Sequence, residues 1–265
     1  METKDISNWQ DYELFIEELR NSLNLIKNSS GSYVSDLFFR GQSNSNWKLE
    51  TTLERFHGNE TELSDYCSLL LRVKPAIECF TEKEFKFAYE NELEEDFHTR
   101  DGRGFRIGQF EFMSHLRHQG FPSPLLDWTL SPYVALFFAF NNANENDSIA
   151  VFIYIEHCGS GKGGVVGAPE IINRGRYINT HKRHFLQQSE YTYCVRKRDD
   201  EWFYCSHEEA FNNGRTSQDR LIKVIIPGSE KQIILKKLDE MNINAYSLFG
   251  TEECLMQTLA FREKR

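Results

Sequence analysis

Apolar and polar positions along the chain switch between helical and strand spacing. Trp9, Leu14, Phe15, Leu19, Leu23 and Ile26 form an approximate helical stripe, and Ser7 followed by Gln10 has capping-box form. This predicts a helix over about residues 8–27, ended by the turn chemistry of Asn28, Ser29, Ser30 and Gly31. Val34 to Arg40 reads as a short apolar strand leading into Gly41. Residues 60–98 are helical in composition, with a second helix expected to start at Pro75, because proline cannot donate a backbone bond inside one. A helix from about Ile107 to Gln119 stops at Gly120, as a left-handed C-terminal position requires.

Pro122 and Pro124 disfavour helix at the residues before them, so Phe121 to Thr129 is expected to be extended. Ser131 and Pro132 fit the N-cap and first position of a helix over Tyr133 to Asn141. That helix is apolar almost all round and is predicted to be central and buried. Strands are expected over residues 148–156, 191–195 and 220–226. A helix over about 229–242, a short strand at 245–248 and a last helix from Thr251 complete the chain. There is no internal repeat and no Pro, Gly or Ser-rich linker. The expected organisation is an N-terminal helix in residues 1–30 followed by one globular unit over 31–265.

Composition supports a packed fold: 40% of the 265 residues are hydrophobic and 14% aromatic, including 21 Phe. The longest apolar run, Val134 to Phe140, is far short of the roughly 20 residues that cross a bilayer, so no membrane partner is expected. Met1 to Gln10 has neither the basic start nor the apolar run of a secretory leader, which points to the cytoplasm. The six cysteines lie at 67, 79, 158, 194, 205 and 254 without a CxxC pair, which reads as free buried thiols and no metal.

Charge adds a second feature. The net charge of −9 argues against a surface built wholly for nucleic acid. Yet Arg174 to Arg198 holds seven basic residues against one acid, Glu190, a local +6 that leaves −15 elsewhere. Lys182, Arg183, Lys197 and Arg198 are the candidate contacts for a phosphate-bearing acceptor. A solvated basic loop balancing acidic helices is the alternative.

Three short segments carry motif content. The first is Phe38-Phe39-Arg40-Gly41-Gln42, followed by Trp47. The second is His118-Gln119-Gly120-Phe121-Pro122-Ser123-Pro124-Leu125-Leu126-Asp127-Trp128-Thr129, then Pro132, Ala135, Leu136 and Phe138. The third is Gln187-Gln188-Ser189-Glu190-Tyr191. Together they resemble the FRG domain family, over a core from about Leu37 to Phe261. Gln119, Pro124 and Ser189 depart from the family's His, Arg and Gly, and no role resting on that His or Arg is carried over.

The order of the segments also resembles ADP-ribosyltransferases of the Arg-Ser-Glu type. That resemblance implies an α+β single domain with a mixed or split β-sheet core and flanking helices, ADP-ribosyltransferase-like. It implies NAD as a substrate and a toxin or antiviral effector that modifies a macromolecule, with an antitoxin as a candidate partner; the basic segment flanking Glu190 makes RNA a candidate acceptor beside protein. NAD hydrolysis without transfer is a further reading. The alternative is a non-catalytic nucleotide- or partner-binding module of a defence system.

The chemistry assigns roles within this resemblance. Cleavage of the bond between nicotinamide and ribose passes through an oxocarbenium-like state that a carboxylate stabilises, the role given to Glu190. Gln188, two positions earlier on an expected strand, would share its face and orient the acceptor. Arg40, beside Gly41, offers a planar fork for the pyrophosphate. In the Asp127-Trp128-Thr129 segment, Thr129 would fix Glu190 or the ribose, while Trp128 or Tyr133 would stack on nicotinamide. Structural roles stay open for each: an Arg40–Asp127 bridge, Trp128 in the core, a capping turn at Asp127 to Thr129, and Gln188 and Glu190 on the solvent face of an edge strand. His118 reads as a structural histidine, and the glycine cluster Gly159 to Gly164 as a mobile loop.

Overall fold

In the computed structural model, which describes residues 1–29, 31–85, 107–174, 182–212 and 217–264, apolar strands of up to ten residues assemble into one mixed sheet. Its strands are β1 (Glu2–Asp5), β2 (Leu37–Gln42), β3 (Thr61–Glu62), β4 (Leu126–Thr129), β5 (Ser148–His157), β6 (Glu170–Asn173), β7 (Ser189–Arg198), β8 (Glu201–Tyr204) and β9 (Gln218–Pro227). The order is β1-β9-β5-β2-β4-β7-β8-β3, with β6 paired to β7. β1 runs parallel to β9, and the other paired strands are antiparallel. The sheet is pinched in its middle. β2 and β4 meet, among the described residues, at the Phe39–Thr129 position, whereas β5 pairs with β9 along nearly its whole length.

The helices are α1 (Trp9–Lys27), α2 (Thr52–His57), α3 (Leu63–Thr81), α4 (Ile107–His118), α5 (Pro132–Asn141), α6 (Arg183–Leu186), α7 (His207–Phe211), α8 (Lys231–Glu240), α9 (Ala245–Phe249) and α10 (Glu252–Glu263). Ser131 caps α5 by accepting from the Val134 amide, with Pro132 at its first turn, as the sequence predicts. Seven of the ten α5 residues are buried, and the helix packs centrally beneath β2 and β5. Trp9, Tyr12, Ile16, Leu19 and Leu23 of α1 join the same apolar cluster, so the N-terminal helix shares its core with the sheet. No described helix is long and apolar enough to cross a membrane.

Several expectations change. Asn8, one residue beyond Ser7, is the cap of α1 and accepts from the Asp11 amide. Pro75 lies inside α3 and starts no new helix: the missing N–H removes one rung, and the rungs on either side keep a single helix running through it. The acidic stretch Glu90 to Asp96 lies outside the described residues. Residues 245–248, expected as a strand, form α9, because Asn244 and Ser247 make a reciprocal capping box and Gly250 closes the helix in a left-handed conformation. The Gly159 to Gly164 loop is anchored: the Lys162 ammonium sits 2.7 Å from Asp219 and also bonds the Ile171 carbonyl. The Gln218 amide exchanges hydrogen bonds with Gly163 in the same loop.

Candidate functional site

Pairing across the pinch decides which motif residues meet. The Phe39–Thr129 rung places Arg40 beside Trp128, and Trp128 is the ladder partner of Glu190 on β7. Cross-strand neighbours share a face, so Arg40, Trp128 and Glu190 form one row over three strands, with Arg40 and Glu190 roughly 10 Å apart at two strand spacings. Phe152 on β5 extends the row beyond Arg40. The row is covered: Trp128 is 3% exposed and Glu190 2%. Glu190 is therefore an interior carboxylate of a central strand, which rules out the solvent face of an edge strand.

Arg40 fills the opening where β2 and β4 diverge. Its Nη1 donates to the Asp127 backbone carbonyl at 2.7 Å, while its Nε is buried without a hydrogen-bond partner. Burial pushes the guanidinium down to about 10, opposed by the Asp127 carboxylate, so it stays cationic at neutral pH. The Asp127 carboxylate itself pairs with Arg117 of α4 at 2.9 Å. The expected Arg40–Asp127 bridge is thus made to the backbone, and a second arginine takes the side chain. Gly41, on the opposite face from Arg40, is needed for packing, because a Cβ there would run into the backbone of Ala135 and Ala139 on α5.

Trp128 is oriented by a buried chain that the sequence does not announce. Its indole N–H donates to the Thr192 hydroxyl at 2.8 Å, and that hydroxyl lies 3.0 Å from Nε2 of His207 on α7. His207 is fully buried, and burial, then Arg40 and Lys162, push its imidazole down to about 3. It is neutral, and its Nδ1 is buried without a hydrogen-bond partner. Thr192 was legible in principle, since it follows Glu190 by two positions on one strand. No local pattern marks His207.

The other expected residues are placed elsewhere. Gln188 precedes β7, is exposed and has a left-handed φ of 48°, so strand alternation does not set its direction. Thr129 donates its hydroxyl to the Gln187 carbonyl at 2.6 Å and accepts from the Ser131 amide, anchoring the turn before β7. Tyr133 lies on the opposite side of the sheet from Trp128: it stacks on Trp9 at 5.4 Å and donates to Glu13 at 3.1 Å. It belongs to a groove of about 750 Å³ along α1, with Glu17, Arg20 and Asn24.

The basic segment divides between the two ends of β7. Arg183 lies over the Phe249 ring, and the Lys182 ammonium approaches Gly250, both at the C-terminal end of α9, where cations are favoured. Lys197 and Arg198 lie about 25 Å along the strand from Glu190 at roughly 3.3 Å per residue. There Lys197 pairs with Asp200, Arg198 with Glu60, and Arg196 with Glu60 and Glu209. The four candidate acceptor contacts therefore do not form one patch. Arg176 and His181 lie outside the described residues.

On the face opposite the row, the Tyr191 hydroxyl lies 2.7 Å from His118 Nε2 and 3.3 Å from His184 Nδ1. His184 stacks on the Tyr191 ring, and burial followed by His118 holds its pKa below the ordinary value. His118 is hydrogen-bonded, as the sequence suggests.

No curated protein and no solved structure matches the chain significantly. A family model does: the FRG domain, over residues 35–148. The matched span holds Arg40, Gly41, Asp127, Trp128, Thr129 and Tyr133, while Glu190 and the Thr192–His207 pair lie beyond it. Residues 35–148 of the chain are thus similar to the FRG domain.

Proposed function

We propose that the protein is an NAD-dependent ADP-ribosyltransferase that places ADP-ribose on a macromolecule as a toxin or antiviral effector. The observation that carries this reading is the row Arg40–Trp128–Glu190 on one face of three adjacent strands. In it the Arg40 fork holds the pyrophosphate and Trp128 walls the nicotinamide. Glu190 stabilises the positive charge that builds on the ribose as its bond to nicotinamide breaks. Nicotinamide leaves with the bonding electrons, and the acceptor atom bonds to the same carbon and gives up its proton. The pinch between β2 and β4 supports a split-sheet, ADP-ribosyltransferase-like architecture with Arg40 and Glu190 on its two sides.

Leu49 in the loop after β2, together with Ala210 and Phe211 of α7, packs over this face. Substrate entry requires that cover to move, as lids do in many enzymes. The test is incubation with labelled NAD and cell extract, followed by separate protease and nuclease digestion. Label released by one treatment identifies a protein or an RNA acceptor, and free labelled ADP-ribose identifies hydrolysis alone. Label in neither pool with NAD intact rejects the enzyme. The closed state of Trp128 and Glu190 favours, as the second reading, a non-catalytic module that binds a nucleotide or a partner.

A further inference from the structure

Trp128 sits between Arg40 and Glu190 in the row, and one polar atom of its indole is available to hold it. That atom is committed to Thr192, which is committed in turn to His207, a residue 79 positions further along the chain than Trp128. Thr192 and His207 are both fully buried. Buried polar groups are normally satisfied completely, yet His207 Nδ1 is not, and the nearby Arg40 has an equally unsatisfied Nε. A chain that spans β4, β7 and α7 and leaves a polar atom unsatisfied is a costly way to fill a core. An apolar pair of the same volume would do so at lower cost.

We infer that Trp128–Thr192–His207 is a positioning relay that fixes the indole plane beside Glu190 and so sets how the nicotinamide ring is received. The inference rests on the NAD reading above and adds Thr192 and His207 to it as positioning residues. The Thr192 hydroxyl oxygen accepts from the indole N–H and is hydrogen-bonded to Nε2 of neutral His207, whose tautomer sets which of the two donates. The indole cannot rotate without breaking this chain. Because α7 also belongs to the cover over the row, closure of the cover and orientation of the indole are coupled through His207.

The experiment measures NAD kinetics of the full chain for wild type, Glu190→Gln, Thr192→Val and Thr192→Ser. An indole wall contributes alike to ground and transition states, so Thr192→Val is expected to raise KM for NAD about tenfold with kcat little changed. Thr192→Ser, which keeps the hydroxyl, restores the wild-type KM. Simple loss of folded protein would lower the apparent kcat and leave KM alone, so the split separates positioning from structure. If Thr192→Val does not fold, His207→Gln carries the same expectation. An unchanged KM in a folded variant, alongside wild-type turnover that Glu190→Gln abolishes, overturns the relay and leaves the NAD reading standing. A wild-type chain that neither binds nor consumes NAD overturns both.

Discussion

The two faces of the sheet are built on different terms. Beneath α1, α5 and α8 the inward residues are apolar, including Phe39, Val151, Ile153, Val224 and Phe140, and among the described residues they pack into a cluster of 27 buried ones. On the opposite face Phe38, Trp128, Phe152 and Tyr154 are just as buried, but they share the interior with Glu190, Thr192, His207 and Asp219. Asp219 has a left-handed φ of 50° and accepts from the Tyr154 hydroxyl and from Lys162. Beneath these three helices the first face follows the ordinary economy of burial, and its polar contacts gather at its other end, around Tyr191, His118 and His184. The second carries desolvated polar groups and a left-handed Asp219, a combination that concentrates at functional sites.

Substitutions separate the faces. The largest stability effect belongs to the apolar one: Phe140→Ala should cost about 3–5 kcal/mol in denaturant unfolding, by transfer and cavity terms, with no change in KM among molecules that stay folded. A change in KM would show that the faces are not independent. The polar face predicts a pH dependence. Unfolded, His207 titrates near 6.5, and in the fold near 3. Between those values the unfolded chain binds the extra proton, so the stabilisation is complete above about pH 6.5 and is lost as pH falls towards 3. The loss is on the order of a few kcal/mol. Thermal unfolding of His207→Gln across this window should show a shallower slope, and an equal slope would assign the titration to other groups.

Smaller effects sharpen the functional side. Glu190→Gln should lower NAD turnover at least ~10²-fold in a folded protein, the scale for losing one aimed electrostatic group. Unchanged turnover would make the row structural. Arg40→Lys should weaken NAD binding about tenfold, since a point charge cannot reproduce the fork. Equal affinity with a lower melting temperature would confine Arg40 to bridging β2 and β4. The smallest effect is expected at the far end of β7. Lys197→Gln with Arg198→Gln breaks surface pairs worth roughly 0–1 kcal/mol and should barely change RNA labelling, whereas Lys182→Gln with Arg183→Gln, nearer Glu190, should reduce it. Equal loss from both pairs would require an acceptor long enough to span the strand.

Local signals were legible where one short segment decides the outcome. Ser131-Pro132 ahead of an all-round apolar run determined α5, Gly120 ended α4, and the apolar runs at 148–156 and 220–226 determined two central strands. The three motif segments and their order were visible too, and with them Arg40, Trp128 and Glu190. Tertiary structure decided the remainder. Pairing through the Phe39–Thr129 rung aligned those three residues, sent Tyr133 to the other face and spread the basic segment along a ten-residue strand. It also brought His207 to Thr192 and Lys162 to Asp219, contacts between segments that have no shared spacing. Periodicity records which way a residue faces relative to its own element, and only the register between elements determines what it faces.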